Sequence, residues 1–267
     1  MASPNPIPGN VALQLYTLRS LTQNDLLGVL DRVAAIGYAG VEFAGLFGIP
    51  PADVRARLDG LGLAVAGAHV PLTRWEGEPD AVLDELAALG APYGVVPIVP
   101  AERRQTADDV RRLAAIFTGL GQACAKRSIG FAYHHHAMEF EPLPGGGDRT
   151  MLDLLIEETD PAAVAFEVDL YWAVVGGVDP AALLARLPGR APLVHLKDAG
   201  TELSDKGIPA DLPAGEGTLP WEGLIPAART AGAKWFIAEQ DNPNPADPMA
   251  DAATAWRNIS RMVGGGG

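Results

Sequence analysis

Residues 165–196 read AFEVDLYWAVVGGVDPAALLARLPGRAPLVHL, and this stretch decides the fold. Two short apolar runs, 165–169 and 192–196, flank a longer segment whose helix begins at Pro180. Gly and Pro residues separate the helical segment from the two runs, as is typical of turns between elements. Because two parallel strands need a crossover connection, usually a helix, the stretch predicts a βαβ unit.

The same alternation of short apolar runs and helical spacing extends along the whole chain. Strands are predicted at 11–15, 38–43, 63–69, 93–99, 129–134, 165–169, 192–196 and 235–239. Helices are predicted at 25–36, 52–61, 80–89, 107–126, 150–158, 180–187, 221–231 and 246–262. Eight such repeats without a change in composition predict an α/β protein with a single (β/α)₈ TIM barrel over residues 1–263, followed by a flexible glycine tail at 264–267.

Local signals agree with these helix boundaries. Thr106 and Asp109 have the spacing of a capping box, and Asn24 is expected to cap the first helix. Glycines 37, 62, 90 and 232 follow predicted helix ends. No GxGxxG follows the first strand and no GxxxxGK[ST] occurs, so the sequence does not indicate a nucleotide site.

Composition limits the class of protein further. Of 267 residues, 48% are hydrophobic and 20% charged, which is typical of a globular domain with a large core. The net charge of −13 disfavours nucleic acid and anionic membranes as partners. Cys124 is the only cysteine, and the N-terminal segment 1–10 lacks the features of a signal peptide, so a cytoplasmic location is expected. The sequence does not determine the oligomeric state, and a homo-oligomer is compatible with it.

All five histidines follow or end predicted strands. In a TIM barrel the carboxyl ends of the strands carry the functional residues, and side chains two residues apart share a face of a strand. His134 with His136, Glu167 with Asp169, and His195 with Lys197 should therefore point together into the barrel mouth, where Glu239 joins them. Buried carboxylates and imidazoles without sulfur favour a divalent cation, with Mn²⁺, Mg²⁺, Co²⁺, Zn²⁺ or Fe²⁺ all compatible.

Several segments together resemble the sugar phosphate isomerase/epimerase family of the xylose-isomerase-like TIM-barrel superfamily. They are LQLYTLR at 13–19, GYAGVE at 37–42, YHHH at 133–136 with Glu139 and Phe140, DLYW at 169–172, HLKD at 195–198, GEG at 215–217 and EQD at 239–241. The resemblance implies one divalent ion, commonly manganese, bound by residues after the last four strands. Asp169, His195 and Glu239 match three of these positions. Glu139 is the expected fourth ligand, with His136 or His134 as substitutes.

The resemblance implies a metal-dependent isomerase or epimerase, which removes a proton next to a carbonyl of a sugar, keto-sugar or sugar-like polyol, forms a metal-stabilised enediolate and returns the proton. Glu139 and Glu239 are the expected proton-transfer pair, and His134 or His136 is the alternative base. Lys197 is expected to stabilise the developing oxygen charge. The alternative for His195 and Lys197 is structural, with Lys197 paired to Glu167.

The expected substrate contacts are Glu42, His69, His136, Trp172 and Glu216. Three of them have a structural alternative: Glu42 as a support for a neighbour, Trp172 as packing under a loop, and Glu216 in an exposed turn. The loop around Glu216 is acidic, so an unphosphorylated substrate is favoured over a sugar phosphate.

Other functions are compatible with the same pattern. Loss of a leaving group instead of reprotonation would give a dehydratase or lyase, and inosose dehydratases and 3-keto-glycoside-cleaving enzymes look similar around residues 133–136. A non-catalytic sugar-binding barrel is the second alternative. Endonucleases acting at abasic sites also resemble this barrel, but five histidines and a charge of −13 argue against DNA as the substrate.

Overall fold

The computed structural model describes residues 10–264, so the segment 1–9 and most of the predicted glycine tail lie outside the described residues. Gly264 itself ends the last helix. The strands are β1 Val11–Gln14, β2 Gly40–Phe43, β3 Ala64–His69, β4 Tyr93–Val96, β5 Gly130–His134, β6 Val164–Asp169, β7 Leu193–Leu203, β8 Pro209–Pro213 and β9 Trp235–Ala238. The helices are α1 Arg19–Ile36, α2 Pro51–Leu61, α3 Leu72–Gly77, α4 Pro79–Leu89, α5 Ala107–Ala125, α6 Met151–Glu158, α7 Leu170–Val175, α8 Pro180–Ala185, α9 Trp221–Thr230 and α10 Pro248–Gly264.

Eight parallel strands close into a barrel, which confirms the predicted (β/α)₈ fold. Their order is β6-β5-β4-β3-β2-β1-β9-β7, and pairing of β6 with β7 completes the circle. In the βαβ unit 165–196, Asp169 lies opposite His195 in the sheet register. The side chains that end neighbouring strands therefore meet at one end of the barrel.

One strand was not predicted. β7 continues past the barrel to Leu203 and pairs in antiparallel fashion with β8, so the two form a hairpin that projects from the carboxyl end. The backbone N–H of Ser204 donates to the carbonyl of Ile208 at 2.8 Å across its turn. β8 has a proline at each end and contains no β-branched or aromatic residue, so it lacks the features by which strands are recognised in a sequence.

The apolar core has two layers. Inside the barrel, six residues from different strands fill the centre: Ala12, Ala66, Val95, Ala132, Leu193 and Ile237. A larger cluster fills the space between the strands and the surrounding helices. No helix within residues 10–264 has both the length and the apolar character needed to cross a membrane.

Helix boundaries follow local capping chemistry, with one correction. Thr106 and Asp109 form the predicted capping box at the start of α5. The predicted cap at Asn24 is wrong, because α1 already begins at Arg19 and contains a kink at Asp25 (φ −153°, ψ 73°). The Asp25 carboxylate there accepts a hydrogen bond from the backbone N–H of Gly28 at 2.9 Å. Gly37 ends α1 at φ 113°, and a Cβ atom there would lie 2.6 Å from the Trp256 ring.

Candidate metal centre

The site is built by one simple repeat along the inward face of the strands. A small or apolar residue fills the barrel centre, and the inward residue two positions later is polar: Ala132 precedes His134, Leu193 precedes His195, and Ile237 precedes Glu239. Alternation of side chains along a strand makes these pairs share a face. A buried polar layer therefore lies directly on the apolar barrel core.

His195 is at the centre of this layer and is fully buried. Its Nδ1 atom lies 2.8 Å from Oε2 of Glu239 and 3.8 Å from Oδ2 of Asp169. Its Nε2 atom lies 2.7 Å from Oε2 of Glu42 and 3.2 Å from Oε2 of Glu167. Burial disfavours the charged ring, but Glu167 and Glu239 outweigh that effect and hold the pKa of His195 well above its usual value.

Lys197 forms ion pairs with three carboxylates on the other side of the layer. Its Nζ atom lies 2.8 Å from Asp169, 2.8 Å from Glu239 and 2.7 Å from Asp241. Burial opposes its charge, yet these carboxylates keep the pKa of the ammonium well above its ordinary value. The alternative pairing of Lys197 with Glu167 is wrong: within residues 10–264, the ion contacts of Glu167 are to His69, His134 and His195.

Glu42 and Glu167 are two further buried acidic residues around His195. The Gln14 amide donates to Oε2 of Glu42 at 2.8 Å. Oε2 of Glu167 lies 2.7 Å from Nε2 of His69 and 3.1 Å from Nδ1 of His134. Burial, together with the charge of Glu167, raises the pKa of Glu42 to about 7. Glu167 is also buried, but His195 and His69 hold its pKa well below the usual value.

The donor set fits a divalent cation. His134, Asp169, His195 and Glu239 each offer one ligand atom, and these four atoms all lie within 4.8 Å of one another. Oδ2 of Asp169 is buried without a hydrogen-bond partner, although the Lys197 ammonium is close. Two carboxylate oxygens and two imidazole nitrogens suit Mn²⁺, Fe²⁺, Co²⁺ or Zn²⁺.

A second group overlaps the first. His69, His134, Glu167 and His195 satisfy the same distance limit, so His134 and His195 belong to both groups. Oε1 of Glu42 and Oε1 of Glu167 are buried here without hydrogen-bond partners. Unpartnered buried carboxylate oxygens are costly, so a cation or a substrate hydroxyl would be stabilised in this layer.

Glu139 lies apart from both groups. Its Oε1 accepts a hydrogen bond from the Tyr133 hydroxyl at 2.6 Å, and its Oε2 accepts one from the backbone N–H of His136 at 2.8 Å. Glu139 is fully buried and holds the loop after β5. The structure therefore brings His134, the predicted substitute, into the four-residue group with Asp169, His195 and Glu239, and places Glu139 behind the loop.

A cavity of about 320 Å³ opens above the cluster. Ten residues line it: Tyr16, Ala44, His69, Pro71, Pro97, Ile98, His134, His136, Glu239 and Asp241. Of the expected substrate contacts, His69 and His136 are on its wall. Trp172 packs against the His136 ring with 5.3 Å between centroids.

The other expected contacts lie elsewhere. Glu42 is fully buried below the cavity and supports His195, as its structural alternative predicted. Glu216 is exposed and accepts a hydrogen bond from the Asn258 amide at 2.9 Å on α10. Residues 215–217 therefore form a turn with an exposed acid, which is the structural alternative for Glu216.

His136 has the properties of a neutral base at the cavity wall. Burial and the nearby Lys197 charge lower its pKa to about 4, so the ring is uncharged at neutral pH. Its Nδ1 atom is buried and has no hydrogen-bond partner. Such a ring can accept either a hydrogen bond or a proton from a ligand in the cavity.

Sequence reasoning missed Asp241 as a site residue. Asp241 follows Glu239 by two positions, so the face-sharing rule that paired His195 with Lys197 also predicts its direction. It binds Lys197 and lines the cavity. The apolar members of the wall, which follow β1 to β4, carry no chemical signal in the sequence and were also missed.

Comparisons with known proteins agree with the barrel fold. Residues 30–259 match the family described as xylose isomerase-like TIM barrel. An inosose dehydratase of Geobacillus kaustophilus is 27% identical over 271 residues, which cover 88% of this chain and 86% of that enzyme. An inosose dehydratase of Geobacillus thermodenitrificans is 31% identical over 161 residues, covering 54% of this chain. In that second alignment the chain spans about half of its relative, 52%.

Solved structures share the whole fold. A sugar phosphate isomerase/epimerase from Parabacteroides distasonis superposes with a TM-score of 0.81 at 24% identity, covering 97% of this chain and 96% of that chain. The IOLI protein with a bound zinc atom has a TM-score of 0.74 at 13% identity, covering 95% of this chain and 98% of that chain. At these identities the likeness establishes the fold alone.

Proposed function

Because this chain belongs to the xylose isomerase-like TIM barrel family, we propose that it is a metal-dependent enzyme that removes a proton next to a carbonyl of a sugar-like small molecule. The observation that carries the proposal is the buried cluster of His134, Asp169, His195 and Glu239 at the floor of an open cavity. Perturbed titratable groups that converge on a cleft are typical of catalytic sites.

The reaction we favour is dehydration of a keto-polyol. In this reaction the substrate loses a proton from the carbon next to its carbonyl and a hydroxyl from the following carbon, and the two leave as water. Support comes from the inosose dehydratase of Geobacillus kaustophilus, whose alignment extends over most of both chains. A dehydratase needs a base for the proton, and the chain offers His136 at the cavity wall.

A divalent cation, for which we propose manganese, would polarise the substrate carbonyl and offset the negative charge that develops on its oxygen. His134, Asp169, His195 and Glu239 are the residues that would hold it. With the ion bound, Glu42 would accept the Nε2–H of His195 across 2.7 Å, and Nδ1 of the ring would be directed at Asp169 and Glu239. The Lys197 ammonium keeps the carboxylates of Asp169, Glu239 and Asp241 together by offsetting their mutual repulsion.

We assign the role of proton acceptor to His136. Glu239 and His134, two of the bases expected from the sequence, are engaged in the ligand group, and Glu139 is engaged with Tyr133. Nδ1 of His136 has no such engagement, and His136 lines the cavity. His69, on the same wall and bound to Glu167, is assigned to a substrate hydroxyl.

Isomerisation or epimerisation is the second candidate. It differs only in the fate of the proton, which returns to the substrate instead of being followed by loss of hydroxyl. Removal of a proton from one face of the substrate and its return to the other face need two groups. The cavity offers an imidazole from the β5 loop and carboxylates after β9, which favours this reaction.

Metal content and proton exchange test the proposal together. Wild-type protein and His195→Ala are stripped with a chelator, reconstituted with manganese or zinc, and analysed by mass spectrometry. We expect about one ion per wild-type chain and none in the variant, with Glu216→Gln as the matched carboxylate control that keeps the ion.

The loaded wild type is then incubated with inosose and with fructose in D₂O. Deuterium incorporation next to the carbonyl with loss of water supports dehydration, and incorporation without loss of water supports isomerisation or epimerisation. Ion binding without any exchange would refute the enzymatic proposal and leave a sugar-binding barrel.

A further inference from the structure

The cavity wall is divided into an apolar side and a polar side. Tyr16, Ala44, Pro71, Pro97 and Ile98 come from the segments that follow β1, β2, β3 and β4. These four strands are consecutive in the barrel, so their loops form one continuous arc of the mouth. The polar wall residues are His134 and His136 from β5 and its loop, and Glu239 and Asp241 after β9, with His69 at the end of β3.

The apolar arc extends above the cavity as exposed side chains. The large hydrophobic residues that are most exposed within residues 10–264 are Tyr16, Phe47, Ile98 and Leu203, and the first three follow β1, β2 and β4. Tyr16 is 41% exposed, and Ile98 is 47% exposed. Clustered exposed apolar side chains next to a cleft are typical of a ligand-binding surface.

Phe47, in the segment after β2 that also carries Ala44, has an unusual backbone conformation. It follows Ala44 by three residues and adopts φ 52°, a left-handed conformation that is uncommon for a bulky residue. Strained conformations of this kind persist where the surrounding structure enforces them, and they cluster at ligand-binding segments. The aromatic ring is 47% exposed in that conformation.

Tyr16 is fixed in place before any ligand arrives. Its backbone N–H donates to Oε1 of Gln14 at 3.0 Å, and its carbonyl accepts from Arg19 at 2.9 Å. The Arg19 guanidinium also lies 4.3 Å from the Tyr16 ring centroid and donates to the carbonyl of Asp241 at 2.6 Å. Arg19 thus fastens the apolar arc to the polar wall, so the apolar surface is preorganised.

The cavity wall offers no cationic side chain to a phosphate. None of its ten described residues is Lys or Arg, while Glu239 and Asp241 are acidic. Lys197 is fully buried against three carboxylates, and Arg19 is committed to two backbone carbonyls. A phosphate group, which needs Arg, Lys or free backbone N–H donors, has no partner among these residues.

We propose that the substrate is a sugar-like ring bearing an uncharged apolar substituent, such as an alkyl or aryl group, which lies against the arc of Tyr16, Ala44, Pro71, Pro97 and Ile98. The inference rests on the proposed function, which places the polar ring over the metal cluster. The cavity volume is at the lower end of the range of about 300–1,000 Å³ in which pockets bury drug-sized ligands. Contact of the substituent with this arc removes apolar surface of both partners from water.

Titration calorimetry with matched glycosides tests the proposal. The probes are phenyl β-D-glucopyranoside, methyl β-D-glucopyranoside and glucose 6-phosphate, each with the metal-reconstituted protein. We expect the phenyl glycoside to bind at least tenfold more tightly than the methyl glycoside, and glucose 6-phosphate to bind more weakly than either. Equal affinity for the two glycosides, binding of neither, or preference for the phosphate would overturn the proposal.

Variants locate the preference on the arc. Tyr16→Ser and Ile98→Ser are expected to lose most of the phenyl preference while affinity for the methyl glycoside stays within about threefold. Leu203→Ser, at the distant hairpin, is the matched control that keeps the preference. A preference that survives in both arc variants would overturn the assignment to this surface.

The outcome is separable from that of the proposed function. Metal binding and deuterium exchange with inosose, without a phenyl preference, leave the proposed function standing and refute the apolar-substituent inference. Absence of both metal binding and exchange refutes the proposed function, whatever the glycosides do.

Discussion

Nε2 of His195 lies 2.7 Å from Oε2 of Glu42, and both side chains are fully buried. The opposite nitrogen of the same ring, Nδ1, faces Glu239. The raised pKa of His195 keeps a proton on both ring nitrogens when no ion is bound. A cation at Nδ1 would displace the proton there, while Glu42 would accept the proton that stays on Nε2. We therefore infer that Glu42 selects the nitrogen of His195 that is available to a cation, as carboxylate partners commonly do for metal-binding histidines.

Glu42→Gln is expected to weaken metal binding about tenfold, the lower end of the range for loss of such a partner. The amide keeps the shape of the side chain but is a weaker acceptor for the His195 N–H. The measurement is competition with a chelator of known affinity. Glu216→Gln, an exposed carboxylate at the surface, should bind the ion like wild type, and equal affinity in both variants would contradict the role of Glu42.

Lys197→Met is expected to destabilise the protein by about 3–5 kcal/mol, because it leaves buried carboxylates without their cation. Urea unfolding of chelator-treated protein gives the free energy of unfolding. Addition of manganese should restore part of the loss, since the ion also offsets carboxylate charge. Lys206→Met, at the exposed hairpin turn, should stay within about 0.5 kcal/mol of wild type, and a similar small loss in Lys197→Met would count against the burial argument.

Glu139→Gln distinguishes the loop-supporting role of Glu139 from a ligand role. Because its carboxylate binds Tyr133 and the backbone of His136, we expect the variant to retain about one ion per chain and to lose about 1–3 kcal/mol of stability. Glu239→Gln is the comparison and should lose the ion. Loss of metal in Glu139→Gln at unchanged stability would instead support the ligand role expected from the sequence.

Asp211 links the hairpin to the site and makes stability depend on pH. Its Oδ2 accepts the backbone N–H groups of Asp241 and Asn242 at 2.5 and 2.9 Å. Burial raises its pKa to about 7, above the unfolded value near 4. For an acid whose folded pKa is raised, the stabilising contribution is complete below the unfolded pKa and is lost as pH rises through the folded pKa.

Asp211→Asn removes this titration and keeps an oxygen acceptor for the two N–H groups. We therefore expect the melting temperature of the variant, relative to wild type, to rise between pH 5 and pH 8 by several degrees. Thermal unfolding at the two pH values measures the difference, with the exposed Asp205→Asn as control. Parallel pH profiles for Asp211→Asn and wild type would show that Asp211 does not titrate in this range.

Periodicity was enough to predict the barrel, because the alternation of strand and helix depends on local spacing and eight such repeats favour a closed barrel over an open sheet. The direction of His134, Asp169, His195 and Glu239 was predictable for the same reason, since alternation along a strand is also local. The hairpin of β7 and β8 was not, because β8 has a proline at each end, contains no β-branched or aromatic residue, and pairs only through tertiary context.

The sequence by itself therefore determined the architecture and the set of side chains that face the barrel mouth. Tertiary structure alone decided which of them touch: His195 meets Glu42 across 153 residues of sequence, Lys197 meets Asp169, Glu239 and Asp241 rather than Glu167, and Glu139 turns back to Tyr133. The physical reason is that strand periodicity sets the direction of a side chain, whereas its partner depends on the register and closure of distant strands. Those are settled by packing over the whole barrel.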